Sequence, residues 1–423
     1  MASMPQTGGG QECLPARAPC GIIGGSTRPP MRLLLLSHCA PDAPDKGEKV
    51  RAYHLVRRLS AAHEVHLFCF ARRQEEVERL EALRGRCAGL YAELLDMSGR
   101  LARCALPFLA GGCLNLLVYR SGAMRRAVER AAAGKPFDAA VVYTLPMAPY
   151  VPAGTPFVLD IQDLDSEKWF QYASRRKPGF LYRWEATRLR REEVRWVRRS
   201  WRTFFVTRNE EALFRRICPE GATGYIENGW SAEEWDGGCV SPPPEAAGRR
   251  YLVFVGTMSY FPNADGVAQF AREIFPELRR RDPSLEFLVA GRDPGSAVRS
   301  LASRPGISVL GAVDNPRAYV KGSLAAVAPL NIARGVQMKA VEALLMGKPV
   351  LASDAVGETF GELPPGVIVC RGAEGYWAGL RSLSRWTEDQ IRSAAWQRFD
   401  GWRNLEVLEQ ELAAIAAKKG ERE

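Results

Sequence analysis

The chain has 423 residues, 46% of them hydrophobic and 25% charged, with 58 Lys and Arg against 48 Asp and Glu for a formal net charge of +10. This composition provides for two or three domains at about 100 to 200 residues each and excludes a disordered or collagen-like chain. No apolar run approaches the ~18 to 20 residues of a membrane-spanning helix, and the ten cysteines form neither a Cys-x-x-Cys pair nor a zinc-spaced cluster, which predicts free thiols, a reducing cytoplasmic setting and no metal site.

Residues 1–30 carry Gly8-Gly9-Gly10 and Pro29-Pro30 without periodicity and read as a flexible extension. Arg32-Leu33-Leu34-Leu35-Leu36 predicts a buried parallel strand, residues 37–48 a loop, and about Lys49 to Ala61 a helix. That order puts the loop at the carboxyl edge of a sheet, where open α/β folds bind ligands. Lys46, Lys49, Arg51 and His54 crowd this segment, which makes Lys46 and Gly47 candidates for a ligand-facing loop. The plainer alternative is a βα turn using the backbone freedom of Gly47.

His63–Phe70, Ala139–Tyr143 and Phe157–Asp160 read as further buried strands. The last runs into Asp160-Ile161-Gln162-Asp163-Leu164-Asp165-Ser166-Glu167-Lys168, a dense set of ionisable residues after a strand end and so a candidate site. Asp160 and Asp163 are its candidate ligand residues. Metal binding by Asp163-Leu164-Asp165 and helix capping by Asp165 or Ser166 are the competing readings.

Between Arg175 and Arg202 stand eleven Lys and Arg against three Glu, a local charge of +8. Trp184, Leu189, Trp196, Val197 and Trp201 lie near helical spacing in this stretch, which fits either an anionic membrane surface or a surface helix with its apolar side in the core. No nucleic-acid-binding motif accompanies the charge, so nucleic acid is not an expected partner. Thr203–Thr207 is a strand, Asn228-Gly229 a turn, and residues 236–250, with Gly237-Gly238 and Pro242-Pro243-Pro244, the best linker. The predicted division is 31–235, then 251–385, then helices from 386 to 423.

The second part opens on a strand, Tyr251–Val255, then Gly256-Thr257 and a helix from about 264 to 280. Glu286–Arg292, Ile307–Gly311 and Leu324–Pro329 follow as strands. From Gly335 to Met346 the apolar residues fall at helical spacing, and Gly347-Lys348-Pro349 stops the helix before a buried strand. The helix thus starts at a sheet's carboxyl edge, where its N-H groups, Arg334 and Lys339 suit an anion such as a diphosphate. Glu342, one turn later, is placed to accept from sugar hydroxyls.

Arg334-Gly335-Val336-Gln337-x-Lys339-x-x-Glu342-Ala343-Leu344-x-Met346-Gly347-Lys348-Pro349-Val350 resembles the donor-site signature of retaining glycosyltransferases of family 4, most closely their exopolysaccharide branch of PEP-CTERM-associated sugar transferases. The resemblance extends over roughly residues 31 to 400 and implies the GT-B fold: two Rossmann-like α/β domains facing a cleft, with a C-terminal helix crossing back to the first. It implies transfer of a sugar from a nucleotide diphosphate donor, with no cofactor, to a lipid-linked or glycan acceptor, in the cytoplasm or at the inner face of the plasma membrane. By the same resemblance Arg334, Lys339 and Glu342 are catalytic, and Gly256, Thr257, Gly291, Arg292, Gly335, Val336 and Gln337 bind the nucleotide sugar. Lys46, Gly47, Asp160 and Asp163 then line the acceptor side. The family pattern has two glutamates eight positions apart; here the first is Arg334. A donor-binding subunit without turnover and a nucleotide-sugar epimerase are the alternative functions.

Overall fold

The computed structural model describes residues 30–42, 47–232, 235 and 240–421. The proposed extension 1–30 therefore falls almost wholly outside the described residues, as do Lys46 and the Gly237-Gly238 part of the linker. Two all-parallel sheets organise the chain. The first holds β1 (Arg32–Ser37), β2 (Glu64–Ala71), β3 (Gly89–Leu94), β4 (Ala139–Tyr143), β5 (Phe157–Gln162), β6 (Arg202–Phe205) and β7 (Thr223–Tyr225), in the order β3-β2-β1-β4-β5-β6-β7. The second holds β8 (Arg250–Val255), β9 (Leu285–Ala290), β10 (Ile307–Gly311), β11 (Ala325–Ala328), β12 (Val350–Ala352) and β13 (Val367–Val369), in the order β10-β9-β8-β11-β12-β13. Both are doubly wound, with the strand order reversing between β1 and β4 and between β8 and β11.

The unbroken apolar run of β1 follows from this arrangement. Leu34 and Leu36 enter one core with Ala140 and Val142, while Leu33 and Leu35 enter another with Ala139 and Val141. A strand covered on both faces has no polar side to display. The second of these cores is closed by Leu405, Leu408, Leu412 and Ile415 of the final helix, Glu406–Gly420, and the residue before it, so the chain's end returns to the first unit.

Three expectations change. The segment expected to be one helix over 264–280 is helix Phe261–Gln269, a π-turn Phe270–Ile274 and helix Phe275–Arg281; Pro276 has no N-H to continue the α ladder, and the wider turn absorbs the loss. The basic stripe is only partly a surface feature, because Leu189, Trp196 and Val197 are core residues and Trp201 donates its indole N-H to Glu411 at 2.9 Å. The cations after β1 are largely internal pairs. Lys49 bonds Asp42 and Glu76 at 2.5 and 3.0 Å, Arg51 bonds Asp160 at 2.7 Å, and burial pushes His54 down to about 4. Buried charge requires a partner, and Lys49 and Arg51 find theirs inside the first unit.

Candidate active site

Each switch point opens a crevice at the carboxyl ends of its strands, and loops from the two crevices meet. On the second unit the crevice lies between Gly256–Tyr260, after β8, and Pro329–Gln337, after β11. The helix expected from Gly335 begins at Met338 and ends at Leu345. Gly335 holds φ at +59°, which breaks the α path, and Gln337 at φ −75°, ψ 103° is still extended. The Gln337 amide nitrogen donates to the carbonyls of Arg334 and Gly335 at 3.1 and 3.4 Å, tying the loop down.

Lys339 sits in the helix's first turn. Its ammonium donates to Asn263 Oδ1 at 2.5 Å and lies 4.6 Å from the centre of the Phe254 ring. Asn263 in turn donates to the carbonyl of Thr257 at 2.8 Å. Among the described residues no carboxylate lies within ion-pair distance of Lys339, and burial pushes its pKa down to about 7. An ammonium desolvated beside a neutral amide gains strongly from an incoming anion. Glu342, one turn on, stands 3.6 Å from Arg317, whose guanidinium lies over Trp230 and Trp235.

Several other expected donor residues have packing work here. A Cβ on Gly291 would stand 1.8 Å from the carbonyl oxygen of Gly256, and one on Gly256 would stand 2.9 Å from Asn263 Nδ2; these glycines permit a close strand-to-strand approach. Val336 is buried in the core of the second unit, leaving only its backbone for a ligand. The side chain of Arg292 is exposed, and its carbonyl accepts from Met258 N at 2.8 Å.

The first unit supplies the opposite wall. Gly47 opens helix Gly47–Ser60. Asp160 is bound by Arg51 and by the Gln162 amide at 2.6 Å. Asp163 reaches the seam, where a Cβ on Gly335 would meet its Oδ1 at 2.1 Å. Burial, reinforced by Glu210 and Asp165, pushes the Asp163 carboxyl up to about 7 against the pull of Lys168 and Arg334. Asp165 pairs instead with Lys168, and no cluster of three or more His, Cys, Asp or Glu fit to hold a metal occurs among the described residues.

Arg334 crosses the seam. It pairs with Glu210 at 3.0 Å and Glu167 at 3.5 Å, and Glu210 also accepts from Leu164 N at 2.8 Å. The Nε of Arg334 is buried with no hydrogen-bond partner among the described residues. Arg334, Gly335 and Asp163 are therefore brought together, with Lys339 deeper in the second unit and Asp160 deeper in the first.

Four features escaped the sequence. Thr144 after β4 and Gln162 after β5 have φ of +72° and +66°, strained values for residues with a Cβ that concentrate at functional sites. The Thr144 hydroxyl and one Arg51 nitrogen, Nη2, are buried with no hydrogen-bond partner among the described residues, and Asn228 links Arg51 to Gln162, accepting from the first at 3.3 Å and donating to the second at 3.1 Å. Backbone strain leaves no mark in residue types. Asn263 had a faint signal, a polar residue inside the first turn after a glycine loop.

Comparison with known proteins agrees with this geometry. Residues 249–383 match the family model for glycosyl transferases group 1, the part of the chain that contains β8 to β13 and Lys339. No curated protein matches the chain by sequence. Among solved structures, it is similar to HepE from Anabaena, determined with UDP and glucose, at 14% identity and a TM-score of 0.60 over 91% of this chain and 100% of that one. The N-terminal domain of trehalose-6-phosphate phosphatase from Candida albicans matches at 11% identity and 0.64 over 93% and 98%. The lipopolysaccharide outer core galactosyltransferase WaaB matches at 13% identity and 0.54 over 91% and 99%. At such identities the likeness establishes the fold, which is GT-B: two Rossmann-like units joined across a cleft.

Proposed function

We propose that this protein is a glycosyltransferase that moves a sugar from a nucleotide diphosphate donor to a lipid-linked or glycan acceptor with retention of configuration, in exopolysaccharide biosynthesis. The observation that carries the reading is the Lys339 ammonium, held without a counter-charge beside Asn263 at the start of a helix at the switch point of the matched unit. Negative charge grows on the diphosphate as the anomeric carbon becomes oxocarbenium-like, so a cation and helix N-H groups aimed there lower the barrier.

In this reading Lys339 and the first amides of helix Met338–Leu345 take the diphosphate, and Glu342 takes ribose or sugar hydroxyls. Arg334 contributes through its Nε and by holding the two walls together. Asp163 faces the acceptor, and Asp160, held by Arg51 and Gln162, supports that wall from behind. The leaving phosphate oxygen accepts the acceptor's proton on the same face, so no separate base is required.

The test is release of nucleoside diphosphate by the purified protein from uridine, guanosine and adenosine diphosphate sugars with a polyprenyl phosphate-linked acceptor, with the product anomer read by NMR. Turnover that falls ten- to a hundred-fold in Lys339→Ala is expected, from the ~1.5 to 3 kcal/mol of a charged hydrogen bond. No turnover with any donor, together with unchanged nucleotide affinity in Lys339→Ala, overturns the reading. Tight, Lys339-dependent nucleotide binding without turnover favours the non-catalytic donor-binding subunit instead.

A further inference from the structure

Helix Met97–Leu109 contains no acidic residue and one interior proline, Pro107. Its inner side is set by Cys104, buried, and by Met97, which packs on the first core. The opposite side, Leu101, Ala102, Ala105, Leu106 and Leu109, is exposed, with Leu101, Leu106 and Leu109 at 47, 79 and 63%. A surface helix normally turns polar residues outward, and this one turns three leucines outward beside a single exposed arginine, Arg103.

The helix is fastened to the start of helix Gly179–Val197. Phe108 lies 5.4 Å from Trp184, and the Arg188 guanidinium stacks on both rings while donating to the carbonyls of Phe108 and Gly112. Glu185 is turned inward, accepting from Leu114 N and Asn115 N at 2.9 Å each. What remains outside on this second helix is Phe180, Leu181 and Trp184, at 69, 37 and 38% exposure. The two helices thus present one joined apolar face. Around it Arg103, Arg176, Lys177 and Arg183 are exposed, and neither 97–120 nor 174–184 contains an Asp or Glu.

We propose that this face docks on an anionic lipid bilayer. Exposed leucines and aromatics with a cationic rim match the acyl boundary and the phosphate layer of such a surface. A second copy of the same face would bring like charges together, which disfavours self-association. Among the described residues no helix is long and apolar enough to cross a membrane, so the contact is peripheral. Arg176 also lies over Phe261 of the second unit at 5.0 Å, so the docked face borders the seam between the units. The inference is independent of the transfer reaction, because its test reads binding alone.

The full chain is sedimented with vesicles of phosphatidylcholine alone and of phosphatidylcholine with roughly one-third phosphatidylglycerol, at about 0.1 and about 1 M salt. Expected is at least tenfold stronger binding to the anionic vesicles at low salt, lost at high salt. The triple variant Leu106→Ser, Leu109→Ser, Phe180→Ser and the double variant Arg103→Glu, Lys177→Glu each weaken it at least tenfold. All five side chains are exposed, so the melting temperatures should match the parent, and a vesicle-induced fluorescence blue shift absent in Trp184→Phe gives an independent readout. No binding to either vesicle, equal binding to both, or binding unchanged in both variants overturns the proposal. So does concentration-dependent self-association abolished by Phe180→Ser without vesicle binding.

Discussion

Lys339 and Asp163 are two residues of the site whose environments work against their charge. The Lys339 pKa of about 7 lies below its ordinary 10.5, so between those values the unfolded chain holds a proton that the folded chain has released, and stability rises with pH across that window. Lys339→Met should therefore melt higher than the parent at pH 7, by a margin that shrinks toward pH 10, while activity falls. A bound diphosphate should restore the proton, and calorimetry at pH 8 in two buffers of different ionisation enthalpy should show uptake on binding. For Asp163 the shift has the opposite sense, from 3.8 to about 7, so the folded chain holds the extra proton and stability falls as pH rises from about 4 to 7. Asp163→Asn should match the parent below pH 4 and gain on the order of 1 to 2 kcal/mol above pH 7, read by denaturant titration. Residue type and spacing marked both positions. Their burial, and the inward pairing of Lys49, Arg51 and Asp160, did not show in the sequence because it depends on which distant strands supply a counter-charge.

At the scale of elements, the loop before helix Met338–Leu345 depends on Gly335. Its φ of +59° disfavours a side chain, and a Cβ would stand 2.1 Å from Asp163 Oδ1 and 2.8 Å from Val206 Cγ1. Gly335→Ala should cost about 1 to 3 kcal/mol by denaturant titration and lower turnover more than tenfold, since it both strains the turn and separates the walls. The strands were the most legible elements. The spans of Ala139–Tyr143 and Ile307–Gly311 are those the sequence predicts, because strands covered on both faces read as plain apolar runs. β3, β13 and helix Met97–Leu109 were not read. β3 is half-buried from Gly89 to Glu93 and exposed at Leu94, and the helix is apolar on its outer side as well as its inner one, so neither shows a clean period.

For the whole molecule, the seam is held at several points: Arg334 with Glu210 and Glu167, Tyr172 against Phe261, and Arg398 with Glu227. The two chain crossings also lie against each other, where Trp230 N donates to the Phe399 carbonyl and Gly401 N to the Trp230 carbonyl, both at 3.0 Å. A Cβ on Gly229 would stand 1.9 Å from the Phe399 oxygen. Arg334→Ala leaves the buried Glu210 carboxylate without its cation and should cost about 1 to 3 kcal/mol; adding Glu210→Gln should recover part of it, and small-angle scattering should show the single variant more open. By itself the sequence determined two α/β units, the central buried strands, and the helix that carries Lys339 and Glu342, since hydrophobic period and glycine placement are local properties of the chain. Only the tertiary structure decided that Arg334 pairs across the cleft, that Leu189, Trp196 and Val197 of the basic stripe face inward while Phe180 and Trp184 stay outside, and that Thr144 and Gln162 are strained. Each depends on contacts between segments far apart in the chain, and no local pattern encodes which of two buried carboxylates an arginine will meet.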